Sequence, residues 1–189
     1  MNKDKFGGKM IFALTGMSEC GKSTVGKYFD SKGIPRLKFV KLFSRIRNRM
    51  SPGEDLKRFV KKEEDKDSFN LWSMFIEELL LEMNKGGAKI VSIESLYGGG
   101  LGPYLKRELG EHFCIIYIEA SEDLRLRYQM KREGLDSIES AKKILLPRDK
   151  MKAASGVPSL KSIAGEIIDN SGSIEDLYGA VDKIINKYQ

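Results

Sequence analysis

Met10-Ile-Phe-Ala-Leu-Thr-Gly-Met-Ser-Glu-Cys-Gly-Lys-Ser-Thr24 begins as an apolar run and turns at Gly16 into small and charged residues. A short apolar run closed by glycine reads as a buried parallel strand. Gly16 to Ser23 fits G-x-x-x-x-G-K-[ST] at every fixed position. Thr24 to Lys32 continues as a helix, closed by Lys32 and Gly33 with Pro35 beyond. That order gives the motif its meaning, because loop N–H groups and the positive end of a helix converge on one anion. Gly16 and Gly21 permit backbone geometry that a side chain would obstruct. Lys22 is expected to reach the β- and γ-phosphates of ATP, and Ser23 to coordinate Mg²⁺. Ser18, Glu19, Cys20 and Thr24 complete the expected phosphate surroundings.

Two residues inside the loop are unusual. Glu19 sets a carboxylate near bound phosphate, where like charges repel, and is expected to turn outward to a basic lid residue. Cys20 is expected to be a small loop side chain without a redox role. A GTPase would also need N-K-x-D, which does not occur, and a D-x-x-G switch; Asp169-Asn-Ser-Gly172 matches the latter far too late in the chain.

Outward from the loop, Leu37–Val40 reads as a second strand, followed by helices near Lys41–Arg49 and Glu54–Lys62. Phe69, Trp72, Ile76, Leu79, Leu80 and Met83 recur at helical spacing and predict a long buried helix over Asp67–Asn84. Ala88–Ile93 is a third strand, Tyr97–Gly102 a glycine-rich loop before a short helix, His112–Glu119 a fourth strand and Ile167-Ile168 a fifth. Ile174, Leu177, Val181, Ile184, Ile185 and Tyr188 form one face of a final helix. Strands alternating with helices predict a three-layer α/β/α P-loop NTPase fold with a five-stranded parallel sheet, residues 1–189 forming one domain.

The chain has 189 residues, 41% hydrophobic and 32% charged, and no apolar run long enough for a transmembrane helix, so no membrane partner is expected. Its two cysteines offer neither a disulfide framework nor a metal-ligand spacing, which suits a reducing cytoplasm. The net charge of +6 is compatible with nucleic acid or with anionic small molecules. Eleven Lys/Arg face five Asp/Glu between Arg36 and Lys66, and nine face four between Arg125 and Lys152. Two separate basic segments favour a phosphate-rich cleft and a small nucleotide substrate over a nucleic-acid groove.

Glu94 closes the third strand, and carboxyl ends of parallel strands face the ligand crevice. It is a candidate for holding a Mg²⁺-bound water or accepting the acceptor's proton. Arg125, Arg127, Arg132 and Arg148 offer the forked cations that phosphoryl transfer uses, with Arg132 and Arg148 ranked first. Neighbours among Arg45, Arg47 and Arg49 lie two apart and cannot share a helix face, so one is expected at an acceptor phosphate and the others in solvent. Trp72 is expected in the core, and His112, the sole histidine, at the surface.

Ile115–Leu124, Met130-Lys-Arg-Glu-Gly134 and Glu166-Ile-Ile-Asp-Asn-Ser-Gly-Ser-Ile-Glu-Asp-Leu177 resemble the dephospho-CoA kinase family, within the nucleoside and nucleotide monophosphate kinase group. With the phosphate loop, the resemblance covers about half the chain. It implies that Asn170 lies near the adenine of ATP and that Arg132 is a lid arginine. It also implies a helical acceptor-binding insert over 36–85 and a lid over 127–160. One departure stands out: the family carries an acid just after strand two, whereas Pro35–Phe43 contains none. The donor site is kept and the acceptor site changed. The expected function is therefore ATP-dependent phosphorylation of a nucleoside or deoxynucleoside monophosphate. A dephospho-CoA kinase-like enzyme or a non-catalytic ATP-binding protein is the alternative, and the protein is expected as a monomer or homodimer.

Overall fold

The computed structural model describes residues 6–96 and 99–188, so Met1–Lys5 of the basic N-terminus and Tyr97 and Gly98 of the glycine-rich loop lie outside it. Five strands are present among the described residues: Met10–Thr15 (β1), Arg36–Lys38 (β2), Ile90–Glu94 (β3), Phe113–Glu119 (β4) and Glu166–Asp169 (β5). They form one parallel sheet in the order β2-β3-β1-β4-β5. The helices are Lys22–Ser31 (α1), Phe39–Met50 (α2), Leu56–Lys85 (α3), Leu101–Leu109 (α4), Glu122–Glu133 (α5), Ile138–Ala154 (α6) and Ile174–Tyr188 (α7).

The two-residue period of the strands divides the core. Ile11, Ala13, Val91, Ile93 and Ile115 face one way, against α2, α3 and α4. Phe12, Leu14, Cys114, Ile116 and Ile118 face the other way, against α1 and α7. β1 is buried along its whole length, as a central strand covered on both faces must be. Leu14 lies opposite Glu94 and Thr15 opposite Tyr117. From β1 the chain passes through α1 to β2 on one side, and after β3 it crosses through α4 to β4 on the other side of β1, which opens a crevice at the strands' carboxyl ends.

Two expectations need correction. The second strand is Arg36–Lys38 rather than Leu37–Val40, and α2 already starts at Phe39. Phe39, Leu42, Phe43 and Ile46 are all buried, and that helical spacing outweighs the extended reading of Phe39 and Val40. The helices expected at Glu54–Lys62 and Asp67–Asn84 meet without a loop. Asp67 breaks the helical path at φ −161°, ψ 88°, and its carboxylate caps the second segment by accepting from the Asn70 N–H at 3.0 Å. The sheet keeps Arg36–Lys38, so the helical insert runs from Phe39 to Lys85.

His112 precedes β4, with Nδ1 2.9 Å from the Lys9 carbonyl oxygen and its ring stacked on Phe6. Among the described residues, no helix is long and apolar enough to cross a membrane.

Phe75 joins α3 to α2, its ring 4.6 Å from that of Phe39 and 5.0 Å from that of Phe43, and it is fully buried. Phe75→Ala is expected to cost about 3–5 kcal/mol, measured as a lower urea midpoint at unchanged slope.

Candidate active site

The loop from Gly16 to Ser23 leaves the carboxyl end of β1 and runs into α1, as the motif requires. Gly16 adopts φ 136°, and a Cβ there would stand 2.2 Å from the Ile118 carbonyl oxygen, so the loop lies too close to β4 for any side chain. A cavity of about 680 Å³ opens above it. Every predicted site residue except Gly16 and Cys20 lines that cavity: Ser18, Glu19, Gly21, Lys22, Ser23 and Thr24 from the loop and α1, with Glu94, Arg132, Arg148 and Asn170. Cys20 instead lies in the core beneath the loop, fully buried, with Sγ 3.3 Å from Lys22 Nζ.

Lys22 curls over the loop and donates to the carbonyl oxygens of Gly16 at 3.0 Å and Met17 at 2.5 Å. Ser23 Oγ donates to Glu94 Oε1, while Arg36 holds Oε2 through its Nε at 2.6 Å. Both oxygens of the strand-end carboxylate are therefore engaged, and it is fixed over the first turn of α1. Asn170 donates from Nδ2 to the Cys20 carbonyl oxygen at 3.1 Å, and its N–H donates to the Glu119 carbonyl oxygen at 2.8 Å. That amide braces the loop from β5 as well as lining the cavity.

Glu19, at φ 57°, turns its carboxylate toward α5 and α6. Arg132 Nη1 donates to it at 2.5 Å, and Arg148 Nη1 stands 4.0 Å away. Arg132 is half exposed, so this pair adds little to stability.

The sequence reading missed the grip of α6 on the loop. Asp149 accepts from the Ser18 N–H at 2.9 Å and from Arg125 Nη1, which also donates to the Ser18 carbonyl oxygen at 3.1 Å. Lys152 Nζ donates to the Gly16 carbonyl oxygen at 3.2 Å, an oxygen Lys22 also uses. Arg125 was a candidate phosphate arginine; it is buried and committed to Asp149 instead. Arg127 is exposed and does not line the cavity. Lys152 lies four residues after Arg148 and three after Asp149, and that spacing was the available signal. Burial, with the Lys22 ammonium close by, pushes the Lys152 pKa down to about 8.

The arginines of α2 are not open to a ligand as the basic count suggested. Arg45 pairs with Glu82 and Arg49 with Glu78, and Arg47 donates to the Glu54 carbonyl oxygen at 3.0 Å.

No family model matches the chain, and no curated protein matches it in sequence. Solved structures match its fold over almost its whole length. It is similar to TT1252 from Thermus thermophilus, at 24% identity and TM-score 0.60 over 96% of this chain and 98% of that one. It is similar to the dephospho-CoA kinase from Campylobacter jejuni, at 19% identity and TM-score 0.52 over 96% of this chain and 98% of that one. The shikimate kinase from Bacteroides thetaiotaomicron aligns at 12% identity and TM-score 0.51 over 94% of this chain and 97% of that one. What they share with this chain is the three-layer α/β/α architecture around a five-stranded parallel sheet, the fold of P-loop kinases.

Asp149→Ala would leave Arg125 buried without its counter-charge. The expected loss is about 3–5 kcal/mol in urea unfolding, whereas Glu19→Gln is expected to cost no more than about 1 kcal/mol.

Proposed function

We propose that the protein is a kinase that transfers the γ-phosphate of ATP to a small, nucleotide-like acceptor. The observation that carries the reading is the pairing of Ser23 with Glu94 beside Lys22, in one cavity with Arg132 and Arg148. Ser23 and Glu94 suit Mg²⁺, which prefers oxygen ligands and takes one or two from the protein with the rest from phosphate and water. Bound there, Mg²⁺ would neutralise charge on the phosphates.

The protein's own groups perform the remaining tasks. Loop N–H groups and Lys22 hold the β- and γ-phosphates, and Arg36 keeps Glu94 oriented. Arg132 and Arg148, now facing Glu19, turn to the moving phosphoryl group, whose charge spreads over its oxygens in the transition state. The acceptor hydroxyl oxygen forms the new bond to phosphorus as the bond to the β,γ-bridging oxygen breaks. ADP leaves with that electron pair, and the hydroxyl proton passes to solvent. Lys152 supplies a further cation at the loop.

A non-catalytic ATP-binding protein is the second reading, motivated by the acid-free stretch Pro35–Phe43. A coupled ADP-release assay against ribo- and deoxyribonucleosides, their monophosphates and dephospho-CoA separates the two. Release that depends on one acceptor and falls by roughly 10²–10³-fold in Lys22→Ala is the expected result. ATP binding without release against the whole panel would establish the second reading.

The Lys152 shift gives a pH test. ATP favours the charged ammonium, so its affinity is expected to hold up to about pH 8 and weaken above it, at most about tenfold per pH unit. Lys152→Arg should remove that dependence. Lys152→Ala should remove it too and weaken binding about tenfold at pH 7, as read by calorimetry.

A further inference from the structure

A second cavity, of about 470 Å³, opens between α2, α3, α4 and the end of α6. We infer that it holds the acceptor and that it recognises an uncharged aromatic ring, so that the substrate is a nucleoside rather than a nucleoside monophosphate. The inference rests on the kinase reading above and names the substrate class of that site.

Three segments carry the chain from one cavity to the other. α6 lines the first with Lys152 and the second with Ala154, two residues and about 3 Å of helix further on. The strand ending at Glu94 leads within five residues to Gly99 in the second cavity. Arg36, which holds Glu94, is three residues before Phe39 in the second cavity. A group seated there stands next to the phosphate-transfer centre and outside the phosphate loop.

The lining determines what that group is. Trp72 presents a ring and Val60 an apolar side chain over a floor of the buried Phe39 and Phe43, and the volume lies in the range of ligand pockets. Gly100 fits the indole closely: a Cβ there would meet Trp72 Cη2 at 2.6 Å, so the loop backbone lies against the ring and holds it as a wall. Flat apolar walls of this kind favour a ring that stacks.

The charge is as informative as the shape. Glu64 is the one ionisable residue among the described residues that line the cavity, and a carboxylate repels a phosphate dianion. Three arginines of the neighbouring elements are committed elsewhere: Arg45 to Glu82, Arg49 to Glu78, Arg36 to Glu94. Glu64 Oε1 accepts from Trp72 Nε1 at 3.2 Å, and the carboxylate can also accept from a ring N–H or amino group.

Trp72 is the sole tryptophan, so its fluorescence reports on this cavity without any turnover. The protein, saturated with a non-hydrolysable ATP analogue, is titrated with adenosine, guanosine, cytidine, thymidine, uridine and their 5′-monophosphates. The expected result is saturable quenching by at least one nucleoside, with its monophosphate binding no more tightly. Glu64→Gln is expected to weaken the preferred nucleoside at least threefold while ATP binding is unchanged. Monophosphates that bind tenfold or more tightly than nucleosides, or no quenching by either set, would overturn the inference. Quenching without ADP release would instead sink the kinase reading and leave the ring pocket standing. Gly100→Ala, which displaces the indole, should abolish the quenching; if ATP binding and quenching both persist in it, Trp72 is not the wall of the pocket.

Discussion

The site depends on one electrostatic constraint: several cations converge on a single glycine-rich turn, and each must face an oxygen. Lys22 and Lys152 share the Gly16 carbonyl oxygen, and the positive end of α1 points into the same space. Like charges so close are tolerable only if the turn is held rigidly enough to keep its carbonyl oxygens aimed at them. Asp149 does the holding. It takes the Ser18 N–H, neutralises Arg125, and Arg125 returns to the Ser18 carbonyl oxygen, so both backbone groups of one loop residue are pinned to α5 and α6. Asn170 performs the same service for Cys20 from β5. The loop is thus braced by three elements distant in sequence, and the pKa of Lys152 is depressed by its burial there, with the Lys22 ammonium adding to the effect.

Glu19 follows from the same constraint. A carboxylate in a phosphate loop is unfavourable beside a nucleotide, yet here it faces Arg132, with Arg148 near. Those arginines therefore have a protein anion to face as well as a phosphate. A half-exposed pair costs little to break, so the exchange is governed by geometry and by the charge of the incoming group.

Legibility in the sequence followed the range of each interaction. Gly16–Ser23, its strand and its helix are contiguous, and their pattern is enough to place Lys22, Ser23 and Thr24. Glu94 was visible because a strand end in a parallel sheet has only one place to point. Glu19 could be read as turning to the lid from charge alone. Asp149 could not be linked to Ser18, because the two lie 131 residues apart and neither carries a mark of the other. The ion pairs of Arg45 and Arg49 are hidden for the related reason that Glu82 and Glu78 bind them from a different helix. A count of basic residues measures supply; only the fold shows which cations are already spent. Phe39 was different, for the helical spacing of Phe39, Leu42, Phe43 and Ile46 was present, and the short strand before it hid where the period changes.

Those commitments divide the work between the two cavities. The first concentrates Lys22, Lys131, Arg132, Arg148 and Lys152 around a loop built for anions. The second has one carboxylate and the Trp72 ring above buried Phe39 and Phe43, and Arg45 and Arg49 turn away to hold α2 against α3. On the proposed kinase reading, an acceptor carrying its own phosphate would bring a second dianion toward a centre whose cations serve the donor. A neutral ring asks for no cation and gains from the apolar walls. The absence of an acid after β2 fits the same division, since Pro35–Phe43 supplies Arg36 to orient Glu94 and Phe39 to wall the second cavity. The stretch that departs from the family pattern connects the two cavities, so a change of acceptor can be made there while the phosphate loop stays as it is.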